Sequence, residues 1–78
     1  MPTVLIVGGN RFFFFSNEGA EPAHIHVENG DRYAKFWLDP IALAESYGYN
    51  GGELRSLRVL VTDNRALFLR KWREYFDN

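Results

Sequence analysis

The chain has 78 residues, no cysteine, 17% aromatic residues and a formal net charge of −1 at neutral pH. That length fits one small domain and excludes a multidomain enzyme or a large cofactor fold, while the missing thiols exclude a disulfide scaffold and a Cys-based zinc site. The near-neutral balance argues against a nucleic-acid coat or an anionic-membrane binder, and the six basic side chains within residues 51–78 place any basic surface in the C-terminal third.

Met1 to Val7 lacks a positively charged n-region and is too short for a signal peptide, and no apolar run approaches the roughly 20 residues that span a bilayer. A cytoplasmic protein without membrane association is therefore expected. Thr3–Val7 and Arg11–Ser16 are β-rich runs around Gly8-Gly9-Asn10 and predict a first hairpin. Residues 16–22 read as a loop. Ala23–Glu28 and Arg32–Leu38 predict a second hairpin around Asn29-Gly30-Asp31, a sequence suited to a tight primed turn. Asp39-Pro40 fits an N-cap and first helical position, so residues 40–46 are expected to form a short helical turn.

From Glu53 to Phe76 the periodicity becomes helical. Leu54, Leu57, Val61, Phe68, Trp72, Tyr75 and Phe76 fall in a stripe about 100° wide. Thr62-Asp63-Asn64 is a weak point where Asp63 could cap a second helix, but the stripe keeps its phase across it, and one helix over 53–76 is expected. Such a helix would be about 36 Å long and reach the domain edge, which points to a homodimer. The expected fold is α+β, one domain over 1–78: a four-stranded antiparallel sheet of two hairpins (3–38), the short helical turn, and one long C-terminal helix across one face.

Strand alternation sorts the second hairpin into two faces. Ile25, Val27, Ala34, Phe36 and Leu38 form an apolar face for the helix, while His24, His26, Glu28, Tyr33, Lys35 and Trp37 share the other. Phe12–Phe15 and Val4–Val7 are apolar on both sides. Their second side must be capped by the segment 41–49, for instance through Tyr47 and Tyr49, or by another chain, because exposed adjacent phenylalanines invite aggregation. Phe13, Phe14, Tyr33 and Trp37 are accordingly candidate binding residues.

His24 and His26 lie on one face with side chains about 6–7 Å apart. Two imidazoles titrating near neutrality can act as base and acid in metal-independent RNA cleavage, with Lys35 or Arg65 stabilising charge on the phosphate and Trp37 or Tyr33 stacking a base. As metal ligands they need a third, from Glu28, Glu18 or Glu21. Neither a metal nor another cofactor is assigned, and the plain alternative is a pair of half-exposed or hydrogen-bonded strand histidines. Arg58 and Arg65, at the edge of the helical stripe, could bind phosphate or carboxylate, or could pair with an acidic side chain of a neighbouring strand.

The order of Met1-Pro2-Thr3-Val4, Gly9 to Arg11-Phe12-Phe13-Phe14, Ser16-Asn17-Glu18-Gly19 and Glu21-Pro22-x-His24-x-His26-Val27 is distinctive. Lys35-Phe36-Trp37-Leu38, Glu53-Leu54-Arg55, Asn64-Arg65 and Trp72-x-x-Tyr75-Phe76 follow. Together they resemble the small bacterial family catalogued as domain of unknown function 4160, over essentially the whole chain. The first strand is more apolar here than in the family pattern, where Ile6 often has a charged counterpart. The resemblance implies membership of compact two-gene modules, often beside a second small protein of unknown function (number 2442), in an arrangement similar to toxin–antitoxin pairs. It supplies no activity. The expected function is a protein–protein interaction module, one partner of such a regulatory pair, with the ribonuclease built on His24 and His26 as the alternative.

Overall fold

The computed structural model describes residues 3–76. Strands β1 (Thr3–Val7), β2 (Asn10–Phe13), β3 (His24–Asn29), β4 (Arg32–Leu38) and β5 (Ile41–Tyr47) form one antiparallel sheet whose spatial order follows the chain. Helices α1 (Gly51–Asp63) and α2 (Arg65–Phe76) follow and pack on one face. The α+β class and the antiparallel sheet agree with the sequence reading. The sheet has five strands rather than four, and two helices stand where one was expected.

Both predicted hairpins form. Val7 pairs with Asn10 around Gly8 at φ 57° and Gly9 at φ 82°, the two positive values that a type I′ turn requires. Asn29 pairs with Arg32, leaving Gly30 at φ 65° in the first central position of a two-residue turn, as type II′ geometry demands.

The expected helical turn over residues 40–46 is instead part of β5. Leu38 pairs with Ile41, and Phe36 with Leu43, so Asp39-Pro40 is a hairpin turn and not a helix start. Ile-Ala-Leu-Ala satisfies either period over so short a run. The deciding term is the outer edge of β4, whose backbone donors and acceptors need partners. Pairing resumes at Lys35 with Glu45, so Ala44 is a bulged residue that bends this outermost strand.

The long helix also differs in both start and continuity. Asn50 caps α1: its side chain accepts from the Glu53 N–H at 2.8 Å, and the Glu53 carboxylate accepts from the Asn50 N–H at 2.8 Å. Gly51 and Gly52 therefore belong to the first turn. The break falls at Asn64, where the Thr62 hydroxyl bonds back to Arg58 O at 2.8 Å and the Asn64 amide takes Leu60 O at 2.9 Å. Such side-chain competition for helix carbonyls bends the axis. The stripe still keeps its phase, with Leu57 and Val61 buried on α1 and Phe68 and Trp72 on α2. An argument for a homodimer from a straight 36 Å helix consequently has no basis.

The helix-side core joins Phe12, Ile25, Val27, Ala34, Phe36 and Leu38 of the sheet to those four helix residues. Phe12 stacks on Phe68 with ring centroids 5.4 Å apart. Phe14 continues the same side beyond β2, packing against Trp72, Tyr75 and Phe76. Phe13 and Phe15 turn to the opposite face, so the phenylalanine run alternates like any strand. Tyr47, expected to help cap this face, stands 66% exposed, and Phe13 is covered within its own chain. It is 1% exposed, beneath the Arg11 guanidinium at 4.2 Å and the edge of Phe15 at 5.1 Å.

Candidate functional site

The second face is closed by the connection between β2 and β3, residues 14–23. Its tip is a turn in which the Glu21 N–H donates to Glu18 O at 3.1 Å. Gly19 permits this path, because a Cβ there would lie 3.2 Å from the Phe76 ring. Two acidic side chains then reach back to the sheet. Glu21 accepts from Lys35 at 2.9 Å, and Glu18 projects between the two histidines.

At the centre, His24 and His26 are 0% and 2% exposed, in place of the half-exposed positions that alternation alone suggests. Their Nε2 atoms lie 2.9 and 2.6 Å from the same Glu18 oxygen, Oε1. Each ring is anchored at its other nitrogen, His24 Nδ1 by Pro22 O at 2.8 Å and His26 Nδ1 by the Tyr33 hydroxyl at 2.7 Å. A carbonyl only accepts, so His24 Nδ1 carries a hydrogen. Of the two Nε2 atoms, only that of His24 lacks a hydrogen bond: it is buried, and Glu18 Oε1 lies off the direction of its ring N–H.

The electrostatics assign protonation states. Burial pushes the His26 imidazole below its ordinary pKa against the opposing pull of Glu18, which leaves it neutral at pH 7. Burial would raise the Glu18 carboxyl, but the hydrogen bond from His26 and the electrostatic pull of both imidazoles outweigh it and hold the group below the usual carboxylate range. Tyr33 is pushed up to about 12, first by burial and then by the charges of Glu45 and Glu18. It is therefore a phenol that can donate to His26 Nδ1, while His26 Nε2–H donates to Glu18.

Aromatic rings complete the surround. Phe15 meets His26 edge-on at 4.5 Å, Trp37 meets His24 at 5.5 Å, and Tyr33 packs against Tyr47 at 5.5 Å. The Lys35 ammonium sits 4.6 Å above the Trp37 ring. Of the residues singled out in sequence, His24, His26, Tyr33, Lys35, Trp37 and Phe13 come together here. Phe14 lies on the helix side. Arg58 and Arg65 are elsewhere: Arg58 donates to Ile41 O at 3.2 Å, and Arg65 donates to Leu38 O at 2.6 Å and pairs with Asp39 at 3.0 Å. They brace the β4–β5 turn against the helices.

Sequence reasoning left Glu18, Glu21 and Glu28 as equal candidates beside the histidines. The structure selects Glu18, sends Glu21 to Lys35 and pairs Glu28 with Arg11 at 2.9 Å. It also exposes two residues that sequence reasoning had not placed on a binding surface. Tyr47 is 66% exposed on β5, beside a groove of about 390 Å³ that it lines with Phe13, Phe15, Tyr33, Arg32 and Glu45. Ile6, on the opposite edge strand, is 64% exposed. A second concavity, about 440 Å³ between β1 and the end of α2, holds Lys71 and Glu74 but no histidine.

No helix among the described residues is long and apolar enough to cross a membrane. No curated protein and no solved structure matches the chain. The family described as Domain of unknown function (DUF4160) matches residues 9–73, and the protein belongs to that family.

Proposed function

Starting from that membership, we propose that the protein is a small cytoplasmic protein–protein interaction module, one partner of a toxin–antitoxin-like or other small regulatory pair. The observation that carries this reading is the contrast between buried chemistry and exposed surface. His24 and His26 sit behind Glu18, and Lys35 is tied to Glu21, whereas Tyr47 and Leu43 stand open along β5. β5 is an outermost strand, so its free backbone groups can take up a partner strand. The adjoining groove offers aromatic walls, with Arg32 and Glu45 at its rim. The two-gene arrangement implied by the family resemblance supplies the context for such a partner.

The alternative, ribonuclease action by His24 and His26 with Lys35, draws less support from this geometry. A scissile phosphate must come within hydrogen-bond reach of both imidazoles, and both are shielded from solvent. One experiment separates the two. Native mass spectrometry of the protein with the product of its adjacent gene should show a complex that Tyr47→Asp or Leu43→Lys abolishes and His26→Gln retains. The same measurement reads any homodimer. RNA cleavage by the purified protein that His26→Gln removes, with no complex formed, would replace the interaction reading with the enzymatic one.

A further inference from the structure

We propose that Glu18, His24 and His26 form a binding site for a first-row divalent transition metal of the zinc class, which fastens residues 14–23 to β3. The inference is independent of the partner proposed above. The three donor atoms lie within 4.8 Å of one another. Two come from alternate residues of one strand and are already buried, so little side-chain freedom remains to be lost on binding.

The proton inventory gives the first argument. His24 Nδ1–H is committed to Pro22 O, so Nε2 is the His24 nitrogen aimed into the site and free to take a ligand role. A Glu18 carboxylate oxygen lies 2.9 Å away, but its position makes no hydrogen bond with that nitrogen. A buried ring nitrogen without a hydrogen-bond partner, aimed beside a carboxylate and a second imidazole, is placed as a ligand atom for a cation. The nearby ammonium does not serve, because Lys35 is held by Glu21.

The outer shell of the two imidazoles also fits a metal. Histidine ligands to metals are held at their other ring nitrogen by a carbonyl, carboxylate or water, which fixes the ring and its tautomer. Pro22 O does this for His24, and Tyr33 supplies the equivalent contact for His26, whose Nδ1–H would donate to the phenol oxygen once Nε2 binds the ion. The donor set of two imidazoles and one carboxylate suits zinc or cobalt and is poor for calcium or magnesium, which take oxygen ligands. Metal–ligand bonds of about 2.0–2.2 Å in tetrahedral geometry separate ligand atoms by roughly 3.3–3.5 Å. Glu18 must therefore withdraw by less than ~1 Å, which a partly exposed loop side chain can do. The two imidazole nitrogens, within 4.8 Å of one another, must close by up to about 1.5 Å through small ring rotations, and water takes the fourth position. In a domain without cysteine such an ion replaces the disulfide staple that small folds often use.

The test uses the untagged full chain after chelator treatment, titrated with Co²⁺ and then Zn²⁺. One equivalent of Co²⁺ should give visible d–d bands of a tetrahedral site, displaced by Zn²⁺, with the melting temperature rising until one equivalent is bound. Glu18→Gln, on the loop, should weaken binding at least tenfold with an unchanged circular dichroism spectrum. Tyr33→Phe should weaken it by roughly tenfold through the outer shell. The proposal is overturned if the folded wild type shows neither d–d bands nor a Zn²⁺-dependent melting shift, or if Glu18→Gln binds both metals as the wild type does.

Discussion

The two faces of this sheet are built from alternate residues of the same strands, yet they are held by different forces. On the helix side Phe12, Val27, Phe36, Phe68 and their neighbours exclude water, and stability follows from apolar area. On the other side Glu18, His24, His26, Tyr33, Lys35 and Glu21 are also largely shielded, but by directional contacts within the sheet and to a loop without regular structure, with Trp72 of α2 against His24. The first face is indifferent to solution conditions short of denaturation. The second depends on protonation, on carboxylate position and on any ion present. A small domain can thus bury both sides of a sheet while reserving one for chemistry that responds to its surroundings.

The sharpest test of this contrast is truncation on each side. Phe68→Ala should cost about 3–5 kcal/mol in urea unfolding, the range for losing a fully buried ring. A loss under about 1 kcal/mol would break the comparison from the helix side. Glu18→Ala should cost about 1–3 kcal/mol in metal-free protein, because it strips the acceptor from His26 Nε2 and leaves a buried polar atom unpaired. A cost equal to that of Phe68→Ala would mean that the loop, and not the helix layer, dominates the fold.

Smaller effects sharpen the picture at its rims. Asn50→Ala should lower stability by about 1 kcal/mol by removing the cap of α1. Lys35→Met should change it by less than about 1 kcal/mol, since the pair with Glu21 is partly in water. High salt should shrink the difference between Lys35→Met and wild type while leaving the Phe68→Ala difference in place.

Much of the helix side was legible in sequence because its signals are local. Gly8-Gly9 and Gly30 mark turns that need positive φ, and the heptad-like spacing of Leu57, Val61, Phe68 and Trp72 marks a stripe. The capping box was present as Asn50-x-x-Glu53, and reading it would have moved the helix start from Glu53 to Gly51. The break at Asn64 was visible as low propensity, but phase continuity concealed it because the bend preserves phase. β5 was missed because Asp39-Pro40 serves a hairpin as well as a helix, and only the unpaired edge of β4 decides between them.

The second face was half legible. Alternation placed His24, His26, Tyr33, Lys35 and Trp37 together, and the structure keeps them so. It could not say that both histidines are buried, because burial comes from Trp72 of α2, 4.8 Å from the His24 ring, and from a loop whose path rests on the contact of Gly19 with Phe76 and on which acid reaches which base. The expected need for outside cover over the Phe12–Phe15 run dissolves for the same reason. Phe13 is covered from within the chain, and the exposed aromatic surface is Tyr47 on β5 together with Tyr75 at the end of α2.

The central claim is that the two histidines form a shielded unit closed by Glu18. The chain has only 2 histidines, so modification by diethyl pyrocarbonate counts them directly. In the metal-free native protein at neutral pH both should react far more slowly than free imidazole, and Glu18→Ala should bring His26 close to the free rate. Native histidines that both react at the rate of free imidazole would contradict the account.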